Sequence, residues 1–332
     1  MLNNKTVLVT GATGLIGYNL THALLKNGNK VIALGRSKDK ILGCYEKYIG
    51  KDVFDYIAAD ISKCPLNISE PIDYIFHAAG SIALDTIVNR PMDIIAPNIT
   101  GTELCLEFLR QQEKTTGKRG RLIYFSSEAV YGKSTFDRNV CENETELSDA
   151  LTDKRTPYSH SKRMAEVIVN SYSKQFNVDA LSVRFAWVYG NAKYKAKQAL
   201  FDFIEDALAG KDINIKNPDT PRRDNIFMKD AIDALLVVAE YGKTGEAYNI
   251  SSNGDKGNYA AADEIASIIV SIVNKKYNNK NVKIFYEKEP SARRMGGVLM
   301  NNTKLKELGW ELSTSLREGI EILVDEVKQN VY

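Results

Sequence analysis

Tyr158 and Lys162 stand four residues apart at the start of a predicted helix, Tyr158–Gln175, and this pair could move a proton to and from a hydroxyl group. The spacing puts the phenol and the ammonium on one helical face, about one turn apart. A free phenol has a pKa near 10, so ionising it near pH 7 costs about 4 kcal/mol. A neighbouring lysine and a second positive charge at the site can supply much of that stabilisation. The pair therefore predicts acid–base catalysis by Tyr158.

The same spacing recurs at Tyr189 and Lys193, so the spacing alone carries little information. The second pair follows a strand in a Gly-Asn turn and lacks a helix to align the two side chains. The first pair opens a helix and follows a predicted strand, Leu122–Phe125, whose end carries serines, including Ser127. We therefore assign the catalytic role to the first pair.

A glycine-rich turn lies between the first predicted strand, Thr6–Thr10, and the first predicted helix, Leu15–Asn27. A pyrophosphate needs exposed backbone N–H groups, a close backbone approach and the positive end of a helix dipole. Glycines allow the first two because a Cβ would block the turn or the ligand. The alternative is a turn without a ligand. The position of this glycine-rich turn between a first strand and a first helix favours dinucleotide binding. The predicted binding residues are Gly11, Thr13, Gly14, Leu15, Ile16 and Gly17.

The end of the second predicted strand, Val31–Leu34, is where an acidic residue would bind the adenosine ribose of NAD. This sequence has Arg36 there, followed by Ser37. A guanidinium can bind phosphate oxygens in pairs, which favours the 2′-phosphate of NADP over NAD. The alternative is an arginine that points into solvent. Asp60, with Ile61 beside it, is a candidate for the adenine edge, although a lone aspartate could equally cap a turn.

Short apolar runs alternate with amphipathic stretches in the first half of the chain, which predicts βαβ units and a parallel sheet. The runs are nearly continuous in apolar residues, as expected where helices cover both sheet faces. We predict an α/β fold with a Rossmann-type doubly wound parallel sheet and a smaller α/β C-terminal substrate domain. Further predicted strands are Tyr56–Ala59, Tyr74–His77 and Ala180–Phe185, further predicted helices are Asn98–Gln112, Ala196–Leu208 and Ala260–Val273, and Glu113–Gly120 is a predicted loop.

The predicted domain division places a dinucleotide-binding domain at residues 1–188 and most of a substrate domain at residues 189–332. A segment near 225–252 is expected to return to the Rossmann core. The division follows the loss of regular alternation after about Gly190, where helical segments are separated by Asn, Lys and Gly clusters.

The composition excludes several classes of partner. Lys plus Arg number 44 and Asp plus Glu number 42, which leaves a formal charge of +2. Because the positive and negative charges are nearly balanced, the composition does not favour electrostatic binding to nucleic acid or to a membrane surface. The four cysteines form no CxxC pair and suit a reducing compartment, so we expect no metal site and no disulfide framework. No leader or membrane-spanning stretch is recognisable, and we expect a cytoplasmic protein.

These residues together resemble the extended short-chain dehydrogenase/reductase family, and in particular its epimerase/dehydratase branch that acts on nucleotide sugars. The resemblance covers nearly the whole chain, with its landmarks in the expected order. They are TGATGLIG at Thr10–Gly17, IFHAAG at Ile75–Gly80, NITGT at Asn98–Thr102, FSSEAVYG at Phe125–Gly132, YSHSK at Tyr158–Lys162, RFAWVYG at Arg184–Gly190, RRDNIFMKDAIDAL at Arg222–Leu235, GEAYNISS at Gly245–Ser252 and KLKELGW at Lys304–Trp310.

The resemblance implies hydride transfer between a sugar carbon, usually C4′, and NAD or NADP. Tyr158 would deprotonate the sugar hydroxyl, Ser127 would hydrogen-bond that oxygen, and Lys162 would hold the nicotinamide ribose. The cofactor channel would be lined by Ala78, Ala79, Gly80 and Asn98, and the nucleotide diphosphate would be bound by Arg222, Arg293 and Arg294. The family also implies a homodimer, through the helices near Asn98–Gln112 and Tyr158–Gln175.

The residues after Ser127 bear on which reaction follows the hydride step. Dehydratases of the family place an acid and a base there, and the decarboxylases share such a pattern. Here Glu128 could act as an acid, but Ala129 cannot act as a base. We therefore favour an epimerase that works through a 4-keto intermediate. A 4-keto-sugar reductase using NADPH is the alternative, supported by Arg36, and a relative that binds nucleotides without catalysis is a further possibility.

Overall fold

The structure is a computed structural model that describes residues 2–132, 137–145, 147–194, 198–277, 282–288 and 297–329. A π-helical turn spans Pro97–Gly101, and 3₁₀ turns span Glu46–Tyr48, Glu128–Tyr131 and Asp255–Gly257. In chain order the other elements are β1 (Thr6–Thr10), α1 (Leu15–Lys26), β2 (Lys30–Gly35), α2 (Lys38–Tyr45), β3 (Phe54–Ala58), β4 (Tyr74–His77), α3 (Leu84–Asn89), α4 (Met92–Ala96), α5 (Thr102–Thr116), β5 (Arg121–Ser127), β6 (Arg138–Val140), α6 (Thr156–Phe176), β7 (Asp179–Phe185), β8 (Trp187–Tyr189), α7 (Ala199–Leu208), β9 (Ile213–Ile215), β10 (Arg223–Phe227), α8 (Met228–Tyr241), β11 (Ala247–Ile250), β12 (Tyr259–Ala260), α9 (Ala262–Lys276), β13 (Ile284–Tyr286), β14 (Val298–Met300), α10 (Thr303–Lys306) and α11 (Leu316–Lys328).

Seven strands of the described chain form one parallel sheet in the order β11-β7-β5-β4-β1-β2-β3. The order runs one way from β1 to β3 and the other way from β4 outward, so a crevice forms where it reverses, between β1 and β4. Ligands of open α/β sheets bind outside the carboxyl ends of the strands at such a reversal. The predicted Rossmann-type doubly wound sheet is confirmed.

Both faces of this sheet are buried by helices. Alternate residues of β1 point to opposite faces, because the side-chain period of a strand is two residues. Val7 and Val9 pack into one apolar cluster with residues of α1 and α8. Leu8 packs into another cluster with residues of α5 and α6. This double burial accounts for the continuous apolar runs in the sequence.

The predicted elements differ from the observed ones mainly at their ends. The sequence analysis places a loop at Glu113–Gly120, but α5 continues to Thr116 and ends at Gly117. Gln112 is buried inside this helix and donates hydrogen bonds to the carbonyls of Ile72 and Lys118. The charged last turn is helical because its side chains face solvent, which a surface helix tolerates. The prediction of a loop over the first part of that segment is therefore wrong.

The later part of the chain contributes to two places. Strand β11 pairs with β7 and completes the large sheet. Helices α7, α9 and α11 pack around a separate apolar cluster that includes Phe201, Ile269 and Leu323. The division into two domains stays a prediction. Within the described residues, no helix combines the length and apolar character that crossing a membrane requires.

Candidate active site

The turn between β1 and α1 has the geometry that close approach of a ligand requires. Gly11 has a φ of +66°, and a Cβ there would lie 2.7 Å from the carbonyl oxygen of Ala78. A Cβ on Gly17 would lie 2.3 Å from the carbonyl oxygen of Gly11. Gly14 precedes α1 and supplies no side-chain cap. The first N–H groups of α1, from Leu15 and Ile16 onward, therefore remain available to an anion.

A buried histidine fixes the neighbouring strand end. The ring of His77 joins Thr10 Oγ1 at 2.7 Å and the carbonyl oxygen of Pro97 at 3.0 Å. The same hydroxyl of Thr10 accepts a hydrogen bond from the backbone of Ala79 at 3.1 Å. Burial lowers the pKa of His77 to about 4, so its ring is neutral at pH 7. This contact holds Ala79 and the adjoining Gly80 against the glycine turn.

The π-helical turn brings Asn98 to the same edge of the sheet. Asn98 is fully buried, and its side-chain nitrogen donates to Ser161 Oγ at 2.9 Å. Its Oδ1 has no hydrogen-bond partner in the described structure. A Cβ on Gly80 would lie 3.3 Å from that oxygen and 3.6 Å from Lys162 Nζ. A buried free acceptor and an ammonium thus face the backbone of Gly80, and π-helical turns are frequent at functional sites.

Ser127, Tyr158 and Lys162 are brought together above the end of β5. The Ser127 hydroxyl accepts a hydrogen bond from the backbone of Ala129 at 3.2 Å. Lys162 Nζ donates to the carbonyl oxygen of Phe125 at 2.6 Å and lies 6.0 Å from the centre of the Tyr158 ring. The ammonium is therefore directed at the strand end and lies beside the phenol ring.

Burial controls the ionisation of these groups. It raises the pKa of Tyr158 to about 12, although a side-chain hydrogen bond with Ser127 opposes the increase. It lowers the pKa of Lys162 to about 7, against the effect of the Glu166 carboxylate. It also raises the pKa of Glu128 to about 7. In the protein alone the phenol stays protonated at neutral pH, so its ionisation requires a further positive charge at the site.

Charged side chains lie near Tyr158, and the nearest of them by its electrostatic effect is Glu128. Burial raises the pKa of Glu128, while the positive charges of Arg223 and Arg155 oppose the shift. The Arg223 guanidinium lies 3.8 Å from the centre of the Trp187 ring. Within the described residues this guanidinium makes no hydrogen bond or ion pair. A partly buried arginine with free donors is a natural partner for an anion.

Arg222 is one of the three arginines predicted to bind the diphosphate. Its side chain is exposed, whereas that of the next residue, Arg223, is partly buried. The Arg222 side chain pairs with Glu264 at 3.0 and 2.5 Å. Arg293 and Arg294 lie outside the described residues. Sequence reasoning missed Arg223, which is the next residue along the chain. No sequence signal separates the two arginines, because the side of the strand that each faces depends on where β10 begins.

The residues predicted to bind the adenosine end lie at the ends of β2 and β3. Arg36 is exposed and makes no ion pair or hydrogen bond with any described residue. Asp60 Oδ1 accepts hydrogen bonds from the backbone and the hydroxyl of Ser62, at 3.0 and 2.7 Å. Asp60 thus caps a turn, with one carboxylate oxygen committed to it. Ile61 is buried in the sheet core.

The second tyrosine–lysine pair has a structural role. Tyr189 is 1% exposed and packs on Phe227, with ring centres 5.5 Å apart. Among the described residues its hydroxyl hydrogen-bonds only to the carbonyl oxygen of Leu316, at 3.5 Å. The tyrosine of this pair is therefore a core side chain.

Comparisons with known proteins agree with this geometry. The model of the family described as NAD dependent epimerase/dehydratase matches residues 7–251. A trifunctional UDP-glucose 4,6-dehydratase/UDP-4-keto-6-deoxy-D-glucose 3,5-epimerase/UDP-4-keto-L-rhamnose-reductase of Arabidopsis thaliana is 27% identical over 98% of this chain. The chain spans only 47% of that plant protein. A dTDP-D-glucose 4,6-dehydratase of Dictyostelium discoideum is 27% identical over 96% of this chain and 82% of its own length.

A solved structure is similar over the full length. The UDP-glucuronic acid 4-epimerase of Bacillus cereus, in complex with UDP-glucuronic acid and NAD, has a TM-score of 0.76 and 25% identity. The comparison covers 98% of this chain and 100% of that one. The chain belongs to the NAD dependent epimerase/dehydratase family, whose members are enzymes of the extended short-chain dehydrogenase/reductase type. The predicted family is confirmed.

Proposed function

We propose that this protein is a nucleoside-diphosphate-sugar epimerase that transfers a hydride at C4′ of the sugar through a 4-keto intermediate. One observation carries the proposal: Ser127, Tyr158 and Lys162 lie at the same sheet edge as the glycine turn and the free oxygen of Asn98. Hydride transfer at a carbon that bears a hydroxyl group requires a tyrosine that can take and return the hydroxyl proton, next to a turn that binds a dinucleotide.

The residues present fit a nicotinamide dinucleotide. The uncapped start of α1 would hold the pyrophosphate, with Gly11, Gly14 and Gly17 allowing the close approach. Lys162 and Asn98 would face the nicotinamide ribose. When bound, the cofactor accepts a hydride and returns it. The solved epimerase of Bacillus cereus was captured with NAD, which supports the same class of cofactor here.

In the proposed mechanism Tyr158 moves the proton. Its ionised oxygen takes the proton of the C4′ hydroxyl as the C–H bond breaks, and returns it when the carbonyl is reduced from the other face. Ser127 donates a hydrogen bond to the same sugar oxygen and keeps it in line with the phenol. Lys162 contributes the positive charge that stabilises the ionised phenol.

The residues near Tyr158 favour epimerisation over dehydration. Ala129 offers only a methyl group at the position where a dehydratase of this family needs a base. Glu128, whose pKa burial raises to about 7, can donate a proton but has no such partner at the next residue. Arg223 would bind an anionic group of the substrate, and the diphosphate is the anion that every nucleotide sugar carries.

A second candidate function is a 4-keto-sugar reductase. It is favoured by Arg36, whose guanidinium is exposed at the end of β2 and makes no hydrogen bond or ion pair with a described residue, although its charge acts on Asp60. This arginine would bind the 2′-phosphate of NADP, and a reductase draws NADPH from solution.

We also propose a homodimer, because Met164 and Val167 on α6 leave apolar side chains 51% and 54% exposed.

The function is tested by identifying the cofactor that co-purifies and screening UDP- and dTDP-sugars by NMR. An epimerase converts a sugar to its C4′ epimer with tightly bound NAD and no net consumption of cofactor. Consumption of added NADPH with a 4-keto sugar would establish the reductase instead. Tyr158→Phe lowers turnover about 10²–10⁴-fold in either case, whereas Tyr189→Phe is the matched control and keeps it. Full turnover by Tyr158→Phe would refute the mechanism.

A further inference from the structure

A buried ion pair lies directly behind the proposed catalytic residues. Arg184 Nη2 and Nε donate to Oε2 and Oε1 of Glu166 at 2.7 and 3.0 Å. The two side chains are 7% and 14% exposed. Two donors of one guanidinium thus meet both oxygens of one carboxylate, which fixes the orientation of each group and not merely their separation.

The Glu166 carboxylate of this pair also joins the strand that carries Ser127 to the helix that carries Tyr158 and Lys162. The hydroxyl of Ser126, the residue before Ser127 in β5, donates a hydrogen bond to the Glu166 carboxylate. Glu166 lies on α6, four residues after Lys162, so the two side chains occupy the same helical face. One carboxylate on the helix of Lys162 is therefore hydrogen-bonded to the strand that carries Ser127.

Arg184 extends this hydrogen-bond network to the 3₁₀ turn that follows β5. Its Nη1 donates to the hydroxyl of Tyr131 at 2.9 Å and to the carbonyl oxygen of Glu142 at 2.7 Å. Tyr131 ends the 3₁₀ turn that starts after Ser127, and its hydroxyl donates to Asn249 Oδ1 at 2.6 Å. The turn that contains Glu128 is thereby held from behind by Arg184.

Glu166 is the carboxylate that acts on the charge of Lys162. The groups that face this ammonium from the surrounding elements are His77 on β4, Tyr124 on β5, and Tyr158 and Glu166 on α6. His77 is neutral at pH 7, and burial raises the pKa values of both tyrosines. Glu166 supplies the negative charge among them.

We propose that Glu166, held by Arg184 and Ser126, is a positioning residue for catalysis: it fixes the end of β5 against α6 and provides the counter-charge of Lys162. The inference rests on the proposed function, because it assigns Glu166 a task only if Lys162 and Tyr158 act as described. The task has two separable parts, one geometric through Ser126 and one electrostatic through Lys162.

The electrostatic part is tested with Glu166→Gln, which keeps the shape of the side chain and removes its charge. Without the carboxylate, Lys162 loses its proton at lower pH, so the alkaline limb of the kcat profile moves down by about 1 pH unit. The pH dependence of NAD and NADP binding, measured by calorimetry, shows the same shift without relying on turnover. KM for the sugar changes by less than about twofold, because the residue does not touch substrate.

The geometric part is tested with Ser126→Ala, which leaves the ion pair and its charge in place. We expect kcat to fall about tenfold while the alkaline limb stays where it is. This variant also keeps the proposal testable if Glu166→Gln does not fold. The matched control is Asp179→Asn, which alters the ion pair at the opposite end of the same two strands and leaves kcat and the pH profile unchanged.

Unchanged pH limbs for both turnover and cofactor binding in Glu166→Gln, with unchanged kcat in Ser126→Ala, would overturn the inference. Its failure is distinguishable from failure of the proposed function. If Tyr158→Phe retains full turnover, the function fails, while cofactor binding still reports whether Glu166 controls the charge of Lys162.

Discussion

Strands β5 and β7 have an arginine–carboxylate contact at each end, and the two contacts differ in the elements that they join. At the start of the strands Arg121 faces Asp179 in register, with Nε and Oδ2 2.9 Å apart. At the other end Ser126 faces Arg184, which pairs with Glu166 from α6. The first contact links neighbouring strands, whereas the second links the sheet to a helix.

The partners of the two arginines show why one end is structural and the other is tied to the site. Arg121 donates its remaining hydrogen bonds to the carbonyl oxygens of Ala239 and Gly242, both at 3.0 Å, around the end of α8. Arg184 reaches Tyr131 and, through Glu166, the face of Lys162. In a parallel sheet all carboxyl ends lie on one side, so this end alone can combine its contacts with a ligand site.

Removing each arginine gives the largest expected difference between the ends. Arg184→Met leaves the Glu166 carboxylate buried without its partner, so we expect the free energy of unfolding to fall by about 3–5 kcal/mol. Arg121→Met leaves a more hydrated partner, because both side chains there are 18% exposed, and the loss is about 1–3 kcal/mol. Urea denaturation of the two variants measures both. Equal losses in free energy of unfolding for the two variants would show that the difference in burial does not change how much each ion pair stabilises the fold.

Tyr158→Phe separates chemistry from stability at the carboxyl end. Because the phenol is the proposed acid and base, we expect turnover to fall about 10²–10⁴-fold. The free energy of unfolding should change by less than about 0.5 kcal/mol, since the ring and its packing remain. Steady-state kinetics and denaturation on the same preparation check both. A large stability loss would indicate that the hydroxyl holds the fold.

The carboxyl end should also make stability depend on pH, with opposite slopes on the two sides of neutrality. Glu128 has a pKa raised from 4.5 to about 7 by burial, so the folded state binds more protons than the unfolded state between these values. The free energy of unfolding therefore falls as pH rises through this window. Lys162 has a pKa lowered from 10.5 to about 7, so stability rises again above pH 7.

The expected result for the cofactor-free protein is a minimum of stability near pH 7, about 1–3 kcal/mol deep. Thermal unfolding across pH 5–9 measures it. Glu128→Gln should flatten the acidic side and Lys162→Met the alkaline side. A curve that keeps its shape in both variants would assign the pH dependence to other groups.

The smallest effect is expected at the opposite end of the strands. The Thr244 hydroxyl donates to Asp179 Oδ1 at 2.6 Å, beside the Arg121 contact. Thr244→Val removes that hydrogen bond and should lower the free energy of unfolding by about 1 kcal/mol. We expect kcat to stay the same, which kinetics at a temperature well below unfolding can verify. A reduced kcat would show that this end also communicates with the site.

Much of the site was predictable because its parts are local in the chain. The glycine turn, the strand ends and the helix with Tyr158 and Lys162 each follow from a short stretch of sequence. The choice between Tyr158 and Tyr189 also followed from local context, and the structure buries Tyr189 in the core. The surroundings of Arg222 and Arg223 were harder to predict, because moving one residue along a strand reverses the direction of the side chain.

The sequence by itself determined the doubly wound α/β fold, since the order of apolar runs and helical patterns admits few other arrangements. It also determined the family, through landmarks spread over most of the chain. Only the tertiary structure decided that Arg223 stacks on Trp187 near Glu128 while Arg222 pairs with Glu264, and that Ser126, Glu166 and Arg184 form one network. These contacts join residues distant in the chain, and their geometry depends on how the helices pack on the sheet, which no local pattern encodes.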